Sequence, residues 1–151
     1  MEKKINMQMK VKLLNELAKL PTCATKGSAG YDIYAAIKES ITIEPGKRVL
    51  IPTGIAAEIP EGTAGFIFTR SGLGIKHGIH VTNGVGVIDS DYRGEIHVGL
   101  HNLSEVSYTV NPGERVAQLI IMPYFKVDII EVDELDETKR GEGGFGSTGK
   151  V

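Results

Sequence analysis

Turn signals break this chain into short apolar runs along most of its length: Glu44-Pro45-Gly46, Pro60-Glu61-Gly62 and Asn111-Pro112-Gly113 each close one run and open the next. Proline and glycine set the backbone angles of tight turns, and the runs between them are too short for packed helices but right for strands. The candidates are Met9 to Leu14, Tyr31 to Ala35, Ser40 to Ile43, Arg48 to Ile51, Gly54 to Ile59, Ala64 to Thr69, His80 to Thr82, Gly94 to Asn102, Val106 to Val110, Arg115 to Pro123 and Val127 to Val132. In Glu95 to Leu100 the alternation is clean, with Ile96, Val98 and Leu100 on one face and Glu95, His97 and Gly99 on the other. Only Gly72 to His77 reads as a brief helical turn, and Leu13 to Leu20 fits neither pattern cleanly. The expected fold is all-β, a jelly-roll-like sandwich or barrel with a short helix and a flexible C-terminal arm. Residues 1–132 form the expected β domain. From Asp133 the chain is charged and from Gly141 glycine-rich, so 133–151 is expected to be a linker and mobile arm.

The charge balance limits what such a domain binds. Seventeen Lys and Arg against 19 Asp and Glu give a formal net charge of -2, which argues against coating nucleic acid through bulk electrostatics. A few arginines can still hold one phosphate chain. The single cysteine, Cys23, excludes an intrachain disulfide framework and a cysteine-only metal site. It fits a reduced compartment, expected to be the cytoplasm, or the host-cell interior if the source is viral. Lysines interrupt every apolar run near the N-terminus, and neither a signal-peptide core nor a membrane span can be drawn.

Gly84 to Ile96, GVGVIDSDYRGEI, carries the densest chemistry. It reads as a tight β-hairpin, with Val85, Val87 and Ile88 in one strand, Asp89 to Gly94 as the turn and Glu95 resuming alternation. Asp89 follows two apolar residues that could partly desolvate it, and a positioned carboxylate of that kind can serve as a general base toward water. The bland alternative is a solvated turn.

Arg70-Ser71-Gly72 follows an apolar strand and opens the helical turn, which is either a phosphate seat or a plain serine N-cap. Asn111 to Arg115 is a turn, with Arg115 and Gln118 on the strand after it. In the tail, Phe145 sits among glycines, flanked by Arg140, Ser147 and Thr148. That composition suits an arm that closes over a ligand, the aromatic ring stacking on a planar group while arginine and hydroxyls meet phosphate oxygens. A disordered terminus is the alternative. Gly144 to Lys150 imitates a phosphate-binding P-loop but fails, because Val151 stands in place of Ser or Thr. His97 and His101 lie roughly 13 Å apart on an extended strand, too far to share a metal. His77 and His80 lack nearby cysteine or carboxylate ligands.

Five segments together resemble the five ordered motifs of the homotrimeric dUTPases: Ala29 to Ala36, Arg70 to Leu73, Asn83 to Gly94, Gly113 to Leu119 and Arg140 to Gly149. The resemblance covers nearly the whole chain after Met9. It implies a jelly-roll subunit and a homotrimer whose three active sites are built from neighbouring chains, hydrolysing dUTP to dUMP and pyrophosphate. By this likeness Asp89 is the base that activates water toward the α-phosphorus, Asn83 reads uracil, Tyr92 packs under the deoxyribose and Phe145 stacks over the base. Arg70, Ser71, Gly72, Arg115, Gln118, Arg140, Ser147 and Thr148 correspond to the phosphate side. Asp32 and Gln118 match positions that hold waters on a substrate-bound Mg²⁺, the implied cofactor. Asp91 reads as a turn residue, and Arg93 is open between an intersubunit and a hairpin-bracing contact.

Thr69 stands where the family often has proline, which is expected to loosen that loop while removing no functional group. Met1 to Gln8 precede the family's usual start and have no assigned role. The competing readings are a dCTP deaminase of the same fold, which would want a glutamate in the hairpin and Arg-Ser-Ser in the loop, and a non-catalytic β-sandwich or nucleotide-binding regulator. No nucleic-acid or membrane partner is expected.

Overall fold

The computed structural model describes residues 7–147 and 149. Two antiparallel four-stranded sheets pack on one another. The first has the order β1 (Lys10–Leu13), β4 (Arg48–Glu58), β8 (Glu95–Asn102) and β6 (Ile79–Val81); the second has β2 (Tyr31–Tyr34), β10 (Arg115–Pro123), β5 (Thr63–Phe68) and β7 (Gly86–Ile88). A two-stranded ribbon joins β3 (Ile41–Ile43) to β9 (Tyr108–Val110). The one helix of the described residues, α1 (Ser71–His77), follows β5 and ends at Gly78, whose φ of 65° is the left-handed conformation glycine tolerates.

The alternation read in β8 holds: Ile96, Val98 and Leu100 are buried, and they meet Ile33, Ile67 and Leu119 of the other sheet in one core. Each such side chain removed from water contributes about 1.5–3 kcal/mol. Among the described residues no helix is long and apolar enough to cross a membrane.

Three local expectations are corrected. Arg48 to Ile51 and Gly54 to Ile59 are one strand rather than two, because a bulge between Pro52 and Ala56 absorbs the proline and the left-handed Gly54. The Thr53 hydroxyl donates to Ile96 O, and the Gly54 N–H donates to Glu95 Oε1 at 2.8 Å, so pairing with β8 continues across the break. Val127 to Val132 forms no strand here. Its apolar side chains are exposed, Ile129 at 93%, so the segment has β composition without a pairing partner among the described residues. The third correction is the largest. β7 and β8 are not a hairpin: β7 pairs with β5 while β8 pairs with β4 and β6, so Asp89 to Gly94 carries the chain from one sheet to the other.

Candidate active site

Asp32, on β2, lies opposite Gln118 on β10. Simple alternation would put Arg115 and Gln118 on opposite faces of β10, three residues apart. A register shift between Arg115 and Ala117 buries both Val116 and Ala117 and turns Arg115 and Gln118 to the same side as Asp32. There the Asp32 carboxylate bridges two guanidiniums, Oδ1 accepting from Arg70 Nε at 3.0 Å and Oδ2 from Arg115 Nη1 at 3.3 Å. Arg70 Nη1 also donates to Arg115 O at 3.3 Å. The shared carboxylate offsets the repulsion of two like charges while leaving other N–H donors of both arginines unspent. These residues, with Ser71, Gly30 and Gln118, line a cleft of about 330 Å³.

Gly30 is required by this packing, since a Cβ there would lie 3.2 Å from Gln118 Cβ and would overlap its Oε1. Gln118 Nε2 donates to Thr69 O at 3.2 Å, and the Thr69 hydroxyl accepts the Val81 N–H at 2.9 Å. The loop expected to be loosened by threonine is therefore tied to β6, a bond that proline could not make. Ser71 is not the N-cap. That position belongs to Arg70, extended at φ -77° and ψ 138° with no side-chain cap, which leaves the Ser71 hydroxyl free of capping and exposed.

A second cavity, of about 630 Å³, is lined by Asn83, Ile88, Asp89, Tyr92, Glu95 and His97 among others, and shares no lining residue with the first. Tyr92 folds over Gly94, where an added Cβ would lie 2.7 Å from Tyr92 Cζ, and its hydroxyl donates to Glu95 O at 2.9 Å. Asp89 accepts the Tyr92 N–H on its backbone oxygen at 3.2 Å. Its carboxylate is exposed and Val87 is 60% exposed, so the expected partial desolvation is absent within one chain. Asp91 is an exposed member of the same connection. Arg93 braces it: Nη1 donates to Ser90 O at 2.6 Å and Tyr92 O at 3.1 Å, and Nη2 lies 3.6 Å from Glu58 Oε1. Lys10, 3.0 Å from Glu58, pulls that carboxyl below its ordinary range, with Arg93 adding to the effect.

The described residues of the tail line neither cavity. Arg140 Nε turns back to Gly143 O at 2.8 Å, Ser147 N–H donates to Gly144 O at 3.0 Å, and Phe145 is fully exposed. Thr148 lies outside the described residues. The structure thus brings Asp32, Arg70, Ser71, Arg115 and Gln118 together, groups Asn83, Asp89 and Tyr92 separately, and leaves Arg140, Phe145 and Ser147 apart from both. The sequence gives no separate role to Glu95 or Gly30, which it places only within a strand and a motif, and does not single out Glu58. Nothing local points to Glu58, which acts across strands.

The residues fit a magnesium ion only indirectly. Both oxygens of Asp32 are engaged by arginines, and among the described residues no group of three His, Cys, Asp or Glu could hold a metal. Such a donor set suits an ion that keeps its waters and takes its direct ligands from substrate phosphates, as magnesium does.

The sequence profile of the dUTPase family matches residues 16–149. The deoxyuridine 5'-triphosphate nucleotidohydrolase of Fusobacterium nucleatum subsp. nucleatum is 49% identical over 144 residues, 95% of this chain and 98% of the relative. That of Desulfitobacterium hafniense is 52% identical over 132 residues, 87% of each. Among solved structures, a mutant Staphylococcus bacteriophage 80alpha dUTPase with dUpNHpp superposes with a TM-score of 0.86 at 32% identity, covering 94% of this chain and 98% of the other. A mutant dUTPase from phage phi11 of S. aureus, described as coordinating a structural Mg(II) ion, gives 0.78 at 28% identity, covering 87% and 100%. With the profile spanning nearly the whole chain and half of its residues shared with bacterial relatives, this chain belongs to the dUTPase family.

Proposed function

We propose that this chain hydrolyses dUTP to dUMP and pyrophosphate, with water attacking the α-phosphorus. The observation that carries the reading is the Asp32 cleft, where one carboxylate holds two arginines side by side with donors to spare. A triphosphate repels a nucleophile, and fixed positive charge at its oxygens lowers that barrier. Arg70, Ser71, Gly72, Arg115 and Gln118 bind the phosphates, and Arg140, Ser147 and Thr148 join them when the arm closes. Asp32 and Gln118 would hold a Mg²⁺ ion through its waters, and the ion would supply further charge neutralisation.

Asp89 takes the proton of the attacking water, the water oxygen bonds to phosphorus, and pyrophosphate leaves. Asn83 accepts the uracil edge, where cytosine would leave buried polar groups unpaired. Tyr92, held by Gly94 and Glu95, packs under the sugar where a 2′-hydroxyl would clash.

The reading includes a homotrimer with shared sites. Two cavities with no lining residue in common, an exposed Asp89 and the exposed Phe125, Val127, Ile129, Ile130 and Val132 all favour completion by other copies. In it, residues 1–132 are the β domain and 133–151 a linker and arm, Phe145 stacking over the base of a site formed by neighbours. The free thiol of Cys23 suits a reducing cytoplasm. The test is a nucleotide panel: with Mg²⁺, purified protein releases pyrophosphate from dUTP and leaves dTTP, dCTP and UTP nearly untouched. Ammonia release from dCTP at a comparable rate would instead make it a deaminase.

A further inference from the structure

Tyr108 is half-buried on β9, outside the five motif segments, yet it touches the helix that follows Arg70 and the residue that precedes Arg115. Its ring packs at 54° against the ring of His77, centroids 5.0 Å apart, in the last turn of the helix that Arg70 and Ser71 open. Its hydroxyl donates to Glu114 Oε1, and Glu114 Oε2 accepts the Asn111 N–H at 2.8 Å. Glu114 immediately precedes Arg115, and its backbone oxygen accepts the Ala35 N–H at 2.8 Å. The carboxylate therefore closes the Asn111 turn and ties it to Tyr108, while the same residue's main chain is fixed to the end of β2.

We infer that Tyr108 and Glu114 form a positioning clamp that sets the separation of Arg70 and Arg115 for the triphosphate. Two guanidiniums sharing one carboxylate have little freedom to find their own spacing, so the backbones behind them must be set independently. The helix and the Asn111 turn are the two backbones concerned, and Tyr108 is a side chain that bridges them. Burial, and then the bond to Glu114, push the phenol well above its ordinary range against a smaller opposing effect of the Arg70 charge, so it remains a donor across the working pH. An O–H donor to an ionised carboxylate is a strong bond, suited to holding a turn in register.

The inference rests on the assignment of Arg70 and Arg115 to the phosphates, so an Arg115→Ala variant accompanies the test. Tyr108→Phe keeps the ring against His77 and removes only the hydroxyl. It is expected to lower kcat about tenfold and weaken dUpNHpp about tenfold, with dUMP affinity changed less than twofold, since misplacing the phosphate contacts spares the nucleoside pocket. Glu114→Ala follows suit and the double variant costs no more than the worse single. Glu114→Gln, whose one carbonyl can accept the Asn111 N–H while its amide group donates to the Tyr108 oxygen, keeps both contacts without the charge and is expected to give a kcat between those of Glu114→Ala and the parent. A Tyr108→Phe enzyme with kcat within twofold of the parent overturns the clamp, as does parallel loss of dUMP and dUpNHpp affinity, or losses that multiply in the double variant. If Arg115→Ala leaves kcat and dUpNHpp binding intact, the phosphate assignment itself fails, separately from the clamp.

Discussion

In the Asp32 cleft one carboxylate is shared by two guanidiniums and only 15% exposed, whereas beside Tyr92 the carboxylate of Asp89 stands exposed with no ion-pair partner among the described residues. Both belong to short stretches of β-rich chain. They differ in what surrounds them: the cleft draws on β2, β10 and the start of α1, three elements locked by ladder and side-chain bonds, while Asp89 sits on a six-residue connection between sheets. A single chain can preorganise charge recognition. Enclosing the reacting water, on the present reading, is left to other copies and to the arm.

The largest expected effect tests the exposed side. Asp89→Asn should lower kcat about 10³-fold, within the range of a lost general base, while isothermal titration with dUpNHpp shows affinity within a few-fold of the parent. A kcat within tenfold of the parent would remove Asp89 from the base role. Deletion of Arg140 to Val151 comes next: kcat/KM is expected to fall about 10²-fold, as for a lost closing element. Thermal denaturation should be unchanged, since the described bonds of the tail are local. An active truncation would mean that the cavities work without closure. The smallest effect is Gly94→Ala, whose Cβ displaces the Tyr92 ring. KM for dUTP should rise about tenfold with a smaller change in kcat, the pattern of lost ground-state binding. If UTP also becomes a better substrate, Tyr92 is the sugar gate; unchanged KM for both would detach the ring from recognition.

The strand inventory was legible because turn chemistry is local: Glu44-Pro45-Gly46 and Asn111-Pro112-Gly113 separate strands in the structure as they do in the sequence. Strand pairing was not legible. Asp89 to Gly94 has hairpin composition, yet β7 goes to β5 and β8 to β4 and β6, a choice made by which partners bury Ile88 and Ile96. The same reason explains Thr69, whose partner Val81 is 12 residues away, and Arg93, whose anchor Glu58 lies on another strand.

The sequence by itself determined that the chain is all-β, where its short helix lies, and which residues carry charge and hydroxyls in an order resembling one enzyme family. Those properties follow from local backbone preference and residue chemistry. Only the tertiary structure decided that Arg115 and Gln118 share a face, that Asp32 stands between two arginines, and that the Asp89 segment joins two sheets. Each depends on a bulge or a pairing whose free energy comes from residues far apart in the chain, which alternation alone does not encode.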